Sequence, residues 1–330
     1  MKTVFMGSDA IALPMLRHLR NERPAGIDLL SVFTQPDRKS GRGMRLTPNA
    51  IKQWAEDEGL GVLQPGKCGA EEADYLSREK VDLVVVMAYG QILPRCILEA
   101  CPMGVLNLHA SLLPRLRGAS PIHTSIAIGL KETGVSLMRI VAKLDAGPVA
   151  DREIVSITGD DTTRDIFGKL SQACIPLMSR SLPSLKDNSL VFEEQDSEEV
   201  TYCRIIDKTD AHLDFNNPAE ELVNRVRAFQ PWPGTSFPYD GQEIRILAAK
   251  VLDTANSDIE VGSLFRESDG SLCIACSQGS LNLLQLQRPG GKPLQTDAFL
   301  RGFHLKEGSI IESREMRPLE DRKAFPYRRK

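Results

Sequence analysis

Asn107 and His109, an amide and an imidazole two residues apart, and Asp145, a carboxylate further along, are the residues of this chain whose types could move protons and steady developing negative charge. The first two lie in GVLNLHASLLPRLRGASPI (104–122) and the third in KLDAGPVAD (143–151). In a strand alternate side chains share a face, so Asn107 and His109 point into one small volume while Leu106 and Leu108 pack on the other side. The strand is expected to stop at Ala110 or Ser111, which sets that volume at the carboxyl end of a parallel strand, where open α/β sheets bind ligands. Taken singly each feature has a plainer use, the polar pair as satisfied core groups and Asp-Ala-Gly as a turn. Taken together they form a candidate amide, imidazole and carboxylate site.

Those side chains need a scaffold, and 330 residues are enough for two domains, each with its own core. The first half alternates strand-like and helix-like segments, the pattern of a doubly wound α/β sheet. KTVFMG and DLLSVFTQ read as strands with the helix LPMLRHLR between them, Pro14 being tolerable only in its first turn. TPNAIKQWAEDEG predicts a helix with Thr47 as N-cap, Pro48 at its first position and Gly59 at its end. VDLVVVMAYG is continuously apolar, as a strand covered on both faces must be, and GVLNLHAS reads as its neighbour. TGVSLMRIV and VADREIVSI supply further strands, backed by the long helix TTRDIFGKLSQACIPLMSRSLPSL. The lone Gly7 after the first strand lacks the G-x-G-x-x-G spacing of a dinucleotide site.

Five carboxylates between Glu193 and Glu199 mark an acidic, solvated linker. Beyond it, Asn217 and Pro218 open a helix that presents Leu222, Val226 and Phe229 on one face, and PWPG ends it. Short strands follow in EIRILAAKVL, SLCIACS and SLNLLQLQ, separated by turn residues, which predicts a small β-barrel or half-barrel. The expected division is therefore 1–188 for the α/β domain, 189–206 for the linker, 207–313 for the barrel and 314–330 for a mobile, charged tail.

Composition narrows the classes of function. A net charge of -3 means that any nucleic-acid site must be local. No apolar run approaches the roughly 18 residues of a spanning helix, and MKTVFMGSDA has no signal-peptide core, so the expected compartment is the cytoplasm. The 7 cysteines are odd in number and scattered, as reduced thiols are; Cys273 and Cys276 form a lone C-x-x-C expected to pack in a core, with no metal.

In order along nearly the whole chain, VFMGS, FTQPDRKSGRGMRLTP, AYGQILP, GVLNLHASLLPRLRGASPI, LDAG, RAFQPWPG and GGKPLQTDAFLRG resemble the methionyl-tRNA formyltransferase family. The chain departs from the family pattern at Gly7–Ile11, where members often read G-T-P-D-F, and at RIVAK, which replaces an acidic stretch before Asp145. The Asn-His-Asp set with SLLP is common to folate-dependent formyltransferases of this fold, so it points to the chemistry and not to the acceptor. The resemblance implies a Rossmann-like formyltransferase domain followed by an OB-like tRNA-binding domain. It implies formyl transfer from 10-formyltetrahydrofolate to the α-amino group of methionyl initiator tRNA, through a tetrahedral carbon and without metal, by a monomer. Asn107 and His109 would face the oxyanion, and Asp145 would orient His109 and help take protons from the amine; which of His109 and Asp145 carries each transfer is left open.

The pterin would lie against the backbone of Met87, Ala88, Tyr89, Gly90, Gln91, Ile92 and Leu93 and near Val141 to Asp145, beside Ser111, Leu112, Leu113 and Pro114, with Ser111 in a turn role and Tyr89 equally suited to strand-end packing. The loop QPDRKSGRGMRLTP, expected to be flexible and short of apolar anchors, would offer Arg38, Lys39, Arg42 and Arg45 to the tRNA acceptor end, Arg42 entering it. Lys292, Arg301 and Lys306 would meet phosphates from the barrel. A sugar-nucleotide formyltransferase would not need that loop, glycinamide ribonucleotide formyltransferase would end after one domain, and a silent tRNA-binding protein would not need the three polar side chains together.

Overall fold

Buried apolar runs in the first half line up as adjacent strands of one sheet. The computed structural model describes residues 1–40, 43–253 and 259–326. Its seven-stranded sheet consists of β1 (Lys2–Gly7), β2 (Asp28–Phe33), β3 (Gly61–Leu63), β4 (Leu83–Met87), β5 (Val105–His109), β6 (Glu132–Arg139) and β7 (Val149–Ser156), in the order β7-β6-β5-β4-β1-β2-β3. From β3 to β5 every pairing is parallel, and β6 and β7 are added antiparallel at the edge beside β5. All five residues of β4 are buried, which is why the sequence shows no polar alternation there. In the antiparallel pair of β5 and β6, His109 at the carboxyl end of β5 stands opposite Ser136 in the middle of β6, and the β6–β7 connection carries Asp145.

The helix Thr163–Lys186 runs as expected and buries Leu170, Cys174, Leu177, Met178 and Leu182, with Ser171 Oγ donating to the carbonyl of Ile11 at 2.7 Å. One expected boundary is corrected. Thr47 does not cap a helix, because it closes a hairpin strand (Arg45–Thr47, paired with Arg38–Ser40), and the cap passes to Asn49, whose side chain accepts from the amides of Ile51 and Lys52. The helix is then Ala50–Asp57.

The chain forms two compact units that do not part at a single linker. Unit 1 is Met1–Gly118, Glu132–Ser156 and Phe167–Tyr202; unit 2 is Ala119–Lys131, Ile157–Ile166 and Cys203 onwards. The acidic stretch is therefore built into unit 1 as far as Tyr202. Glu193 bridges β7 through both backbone bonds to Val149 (2.8 and 3.0 Å), and Phe192 lies 4.5 Å under the Arg139 guanidinium.

In unit 2 a curled antiparallel sheet of Thr235–Tyr239, Gln242–Leu252, Ser280–Gln287, Leu272–Ala275 and Leu264–Arg266, in that order, packs on the helix Ala219–Ala228. Register shifts between Ile246 and Ala249 bend the longest strand and help the sheet curl into a half-barrel, as expected of an OB-like module. Leu222, Val226, Phe237, Ile246, Ile274, Leu281 and Phe299 fill its core, and Cys273 and Cys276 are buried in the sheet and the turn after it. The described part of the tail is hydrogen-bonded to other residues of unit 2. Arg317 donates to Asp207 and Thr209, both at 2.7 Å, Arg204 donates to the carbonyl of Pro318 at 2.7 Å, and Leu319 is buried. No helix among the described residues is long and apolar enough to cross a membrane.

Candidate active site

β5 sets two of the three polar side chains. Val105, Leu106 and Leu108 are buried, Asn107 is half-buried, and His109 is 7% exposed. Asn107 stands opposite Val86 on β4 and Met138 on β6, and His109 opposite Ser136. Among the described residues the Asn107 side-chain amide has no hydrogen-bond partner, so both its N–H groups are available.

The His109 ring is held by its surroundings. Its Nε2 lies 3.1 Å from the carbonyl of Leu116, and a carbonyl only accepts, so this nitrogen carries the proton. In the neutral ring Nδ1 is then the bare nitrogen, and it faces Asp145 Oδ2 at 3.8 Å. Two acceptors facing each other at that separation are brought together by a proton taken up on Nδ1 or by a bridging water.

Asp145 sits on a strained turn. It adopts a left-handed backbone conformation with φ of 46°, which Asp tolerates better than most side chains. At Gly147 an added Cβ would lie 1.8 Å from the carbonyl oxygen of Arg139, so the chain passes where only glycine fits. The Asp145 carboxylate accepts from the amide of Gly118 at 2.8 Å. Its own carbonyl accepts from Gln195 Nε2 at 2.8 Å, and the same nitrogen donates to the carbonyl of Gly147 at 2.7 Å. Gln195 Oε1 in turn accepts two bonds from the buried Arg117 guanidinium, at 3.0 and 2.7 Å. Neither Gln195 nor Arg117 was expected at the site.

Around these groups, Ser111 closes its own turn by donating to the carbonyl of Arg115 at 2.7 Å. Leu112 is half-buried, Leu113 is buried and followed by a cis bond to Pro114, and this loop is pinned where Ser136 Oγ donates to the carbonyl of Ser111 (2.7 Å) and accepts from the amide of Leu113 (3.0 Å). In the turn after β4, the side chains of Met87, Tyr89 and Leu93 are in the core, and Tyr89 Oη lies 3.1 Å from Cys68 Sγ. Burial pushes the Tyr89 hydroxyl far above its ordinary range. Ala88 and Gly90 are exposed with positive φ, Ile92 is 71% exposed, and Gln91 is spent on Cys68 and Pro65. This segment offers a ligand its backbone and not its aromatic ring. Ser8 and Gln35, two further residues that the sequence did not single out, hold the turn by donating to the carbonyls of Tyr89 and Gly90.

The described residues of the basic loop include a short hairpin. Arg38–Ser40 pairs with Arg45–Thr47, Arg38 donates to Gln35 Oε1, and Lys39 and Arg45 are exposed. It also presents Met44 and Leu46, which at 62% and 67% exposed do not anchor it in a core. Arg42 lies outside the described residues. Lys292, Arg301 and Lys306 are exposed on unit 2. Among the described residues no group of three His, Cys, Asp or Glu side chains is disposed to hold a metal ion.

A family model described as formyl transferase matches residues 1–182, and one described as formyl transferase, C-terminal domain, matches 205–304. A protein of Methylococcus capsulatus named methionyl-tRNA formyltransferase is 42% identical over 306 residues, covering 92% of this chain and 98% of its own length. One of the same name from Bacillus subtilis is 38% identical over 312 residues, covering 94% of this chain and 97% of its own. Among solved structures, the N-formyltransferase of Helicobacter canadensis, in complex with folinic acid and dTDP-3-aminofucose, has a TM-score of 0.64 at 18% identity, covering 88% of this chain and 100% of that one. HypX of Aquifex aeolicus in complex with tetrahydrofolic acid has a TM-score of 0.59 at 14% identity, over 96% of this chain and 51% of that one. At such identities the two structures speak for the fold alone.

Proposed function

The chain belongs to the methionyl-tRNA formyltransferase family, and from that premise we propose that Asn107, His109 and Asp145 form the centre at which formyl transfer takes place. The enzyme moves the formyl group of 10-formyltetrahydrofolate to the α-amino group of methionyl initiator tRNA. The amine nitrogen bonds to the formyl carbon as the carbonyl electron pair moves onto oxygen; that pair then re-forms the carbonyl as the bond from carbon to the folate nitrogen breaks with its own pair left on nitrogen. One proton leaves the amine and one arrives at the folate nitrogen, so the two steps balance.

What supports the reading is the 3.8 Å approach of His109 Nδ1 to Asp145 Oδ2 on the side of β5 that carries the Asn107 amide, which has no hydrogen-bond partner among the described residues. Asn107 donates to the oxygen as it becomes negative, a contribution of about 2.7–4 kcal/mol for one such donor. His109 Nε2–H is engaged by Leu116, which favours the proton-relay role over the oxyanion role for this ring. Nδ1 receives the proton of the amine, the adjacent Asp145 carboxylate stabilises the imidazolium, and the proton returns to the leaving nitrogen.

The folate lies along the backbone of Met87–Leu93 and against Ser111–Pro114, and no step calls for a metal. Arg38, Lys39, Arg42 and Arg45 meet the acceptor end of the tRNA, and Lys292, Arg301 and Lys306 meet its phosphates. The enzyme works as a monomer in the cytoplasm, where its tRNA substrate is charged.

The test is His109→Ala. Single-turnover formylation falls on the order of 10² to 10⁴-fold while affinity for charged initiator tRNA is kept; turnover within a few-fold of the parent enzyme rejects the site.

A further inference from the structure

Gln195 lies in the segment whose composition reads as solvated linker, yet every hydrogen-bonding atom of its amide is committed. Nε2 donates to the carbonyls of Asp145 and Gly147, and Oε1 accepts twice from Arg117. The amide has only one satisfying orientation, since the reverse would set oxygen against two carbonyl oxygens and N–H against a guanidinium. Arg117 is 4% exposed, its amide donates to the carbonyl of Thr201 at 2.9 Å, and the next residue, Gly118, donates to the Asp145 carboxylate. The bonds therefore close a ring, from Asp145 carboxylate to Gly118, through Arg117 to Gln195, and back to the Asp145 carbonyl. Asp145, at φ of 46°, is held from both its side chain and its backbone.

We propose that Gln195, fixed by Arg117, is a positioning residue for formyl transfer: it clamps the turn at Asp145 and Gly147 so that the Asp145 carboxylate faces His109. The proposal rests on the catalytic reading of Asp145 given above. It assigns the segment 192–202, through Gln195, a part in the chemistry. A misplacement of about 1 Å at a reacting group can cost on the order of 10²-fold in rate, which is the size of effect expected here.

A double-mutant cycle separates this proposal from the one beneath it. The enzymes compared are the parent, Gln195→Ala, Asp145→Asn and the double variant, with kcat and both KM values measured on 10-formyltetrahydrofolate and charged initiator tRNA. Gln195→Ala is expected to lower kcat about 10 to 100-fold with both KM values within about 2-fold, and to cost less than about 2-fold further in the Asp145→Asn background. If Asp145→Asn loses kcat but Gln195→Ala multiplies that loss by its full factor, or if Gln195→Ala raises KM and leaves kcat alone, the positioning role is overturned. If Asp145→Asn leaves kcat unchanged, the catalytic reading falls instead. Gln195→Glu guards against a folding artefact: it keeps the acceptor for Arg117 and removes both donors to the turn, so with an unchanged thermal transition it must reproduce the kcat loss of Gln195→Ala, and normal kcat in this variant contradicts the proposal.

Discussion

Asn107 and His109 are held by a strand, Asp145 by a turn, and the two regions solve the same task differently. On β5 the neighbours that fix the polar pair are the strand's own ladder partners on β4 and β6, with buried Leu106 and Leu108 on the opposite face. The turn has no ladder. It depends on a close backbone approach at Gly147 and on hydrogen bonds borrowed from Gly118 and Gln195, the latter 50 residues away along the chain. A strand position tolerates loss of its polar side chain without losing its place, whereas a turn position fails when its distant supports do.

One large effect that sharpens this contrast is expected on the strand. Asn107→Ala removes an amide with no hydrogen-bond partner among the described residues, so kcat should fall about 10² to 10³-fold with little change in thermal stability. A large fall in the thermal midpoint would mean that the amide is structural. On the turn, Gly147→Ala should lower stability and rate together, because its Cβ would meet the Arg139 carbonyl; overpacking of this kind costs about 1–3 kcal/mol. Unchanged urea unfolding in that variant would break the contrast.

The smallest effect lies away from both regions, where Arg317 binds Asp207 and holds the Asp207 carboxyl well below the usual carboxylate range. A depressed carboxylate contributes stability that is fully present above its ordinary value near 3.8 and lost only as pH falls through the depressed one. For so exposed a pair the contribution is about 0.2–1 kcal/mol. Arg317→Ala should therefore lower stability slightly at neutral pH, and the difference from the parent should persist at pH 4; a difference already gone at that pH would show that the ion pair is not its source.

The same contrast explains what could be read in the sequence. Period two inside a buried run sets Asn107 and His109 on one face whatever lies elsewhere, and a continuous apolar run such as Leu83–Met87 identifies a parallel strand by itself. Asp-Ala-Gly announces a turn, but nothing near it names Gln195, because five surrounding carboxylates dominate the composition and the anchors Phe192, Gln195 and Thr201 are scattered among them. The helix cap was missed by two residues for a related reason: Thr47 and Asn49 are both good caps, and only the pairing of Thr47 with Arg38 across the hairpin decides between them. The tail reads as mobile from its mixed charge, whereas Arg317 and Arg204 tie it down by contacts that link residues more than a hundred positions apart.

The most direct test of the account is the single-turnover rate of Asp145→Asn with saturating 10-formyltetrahydrofolate and charged initiator tRNA. Asparagine keeps the shape and the acceptor for the Gly118 amide but not the charge that faces His109 Nδ1. The expected rate is reduced on the order of 10² to 10⁴-fold with tRNA affinity retained; transfer at the parent rate would contradict a catalytic role for Asp145.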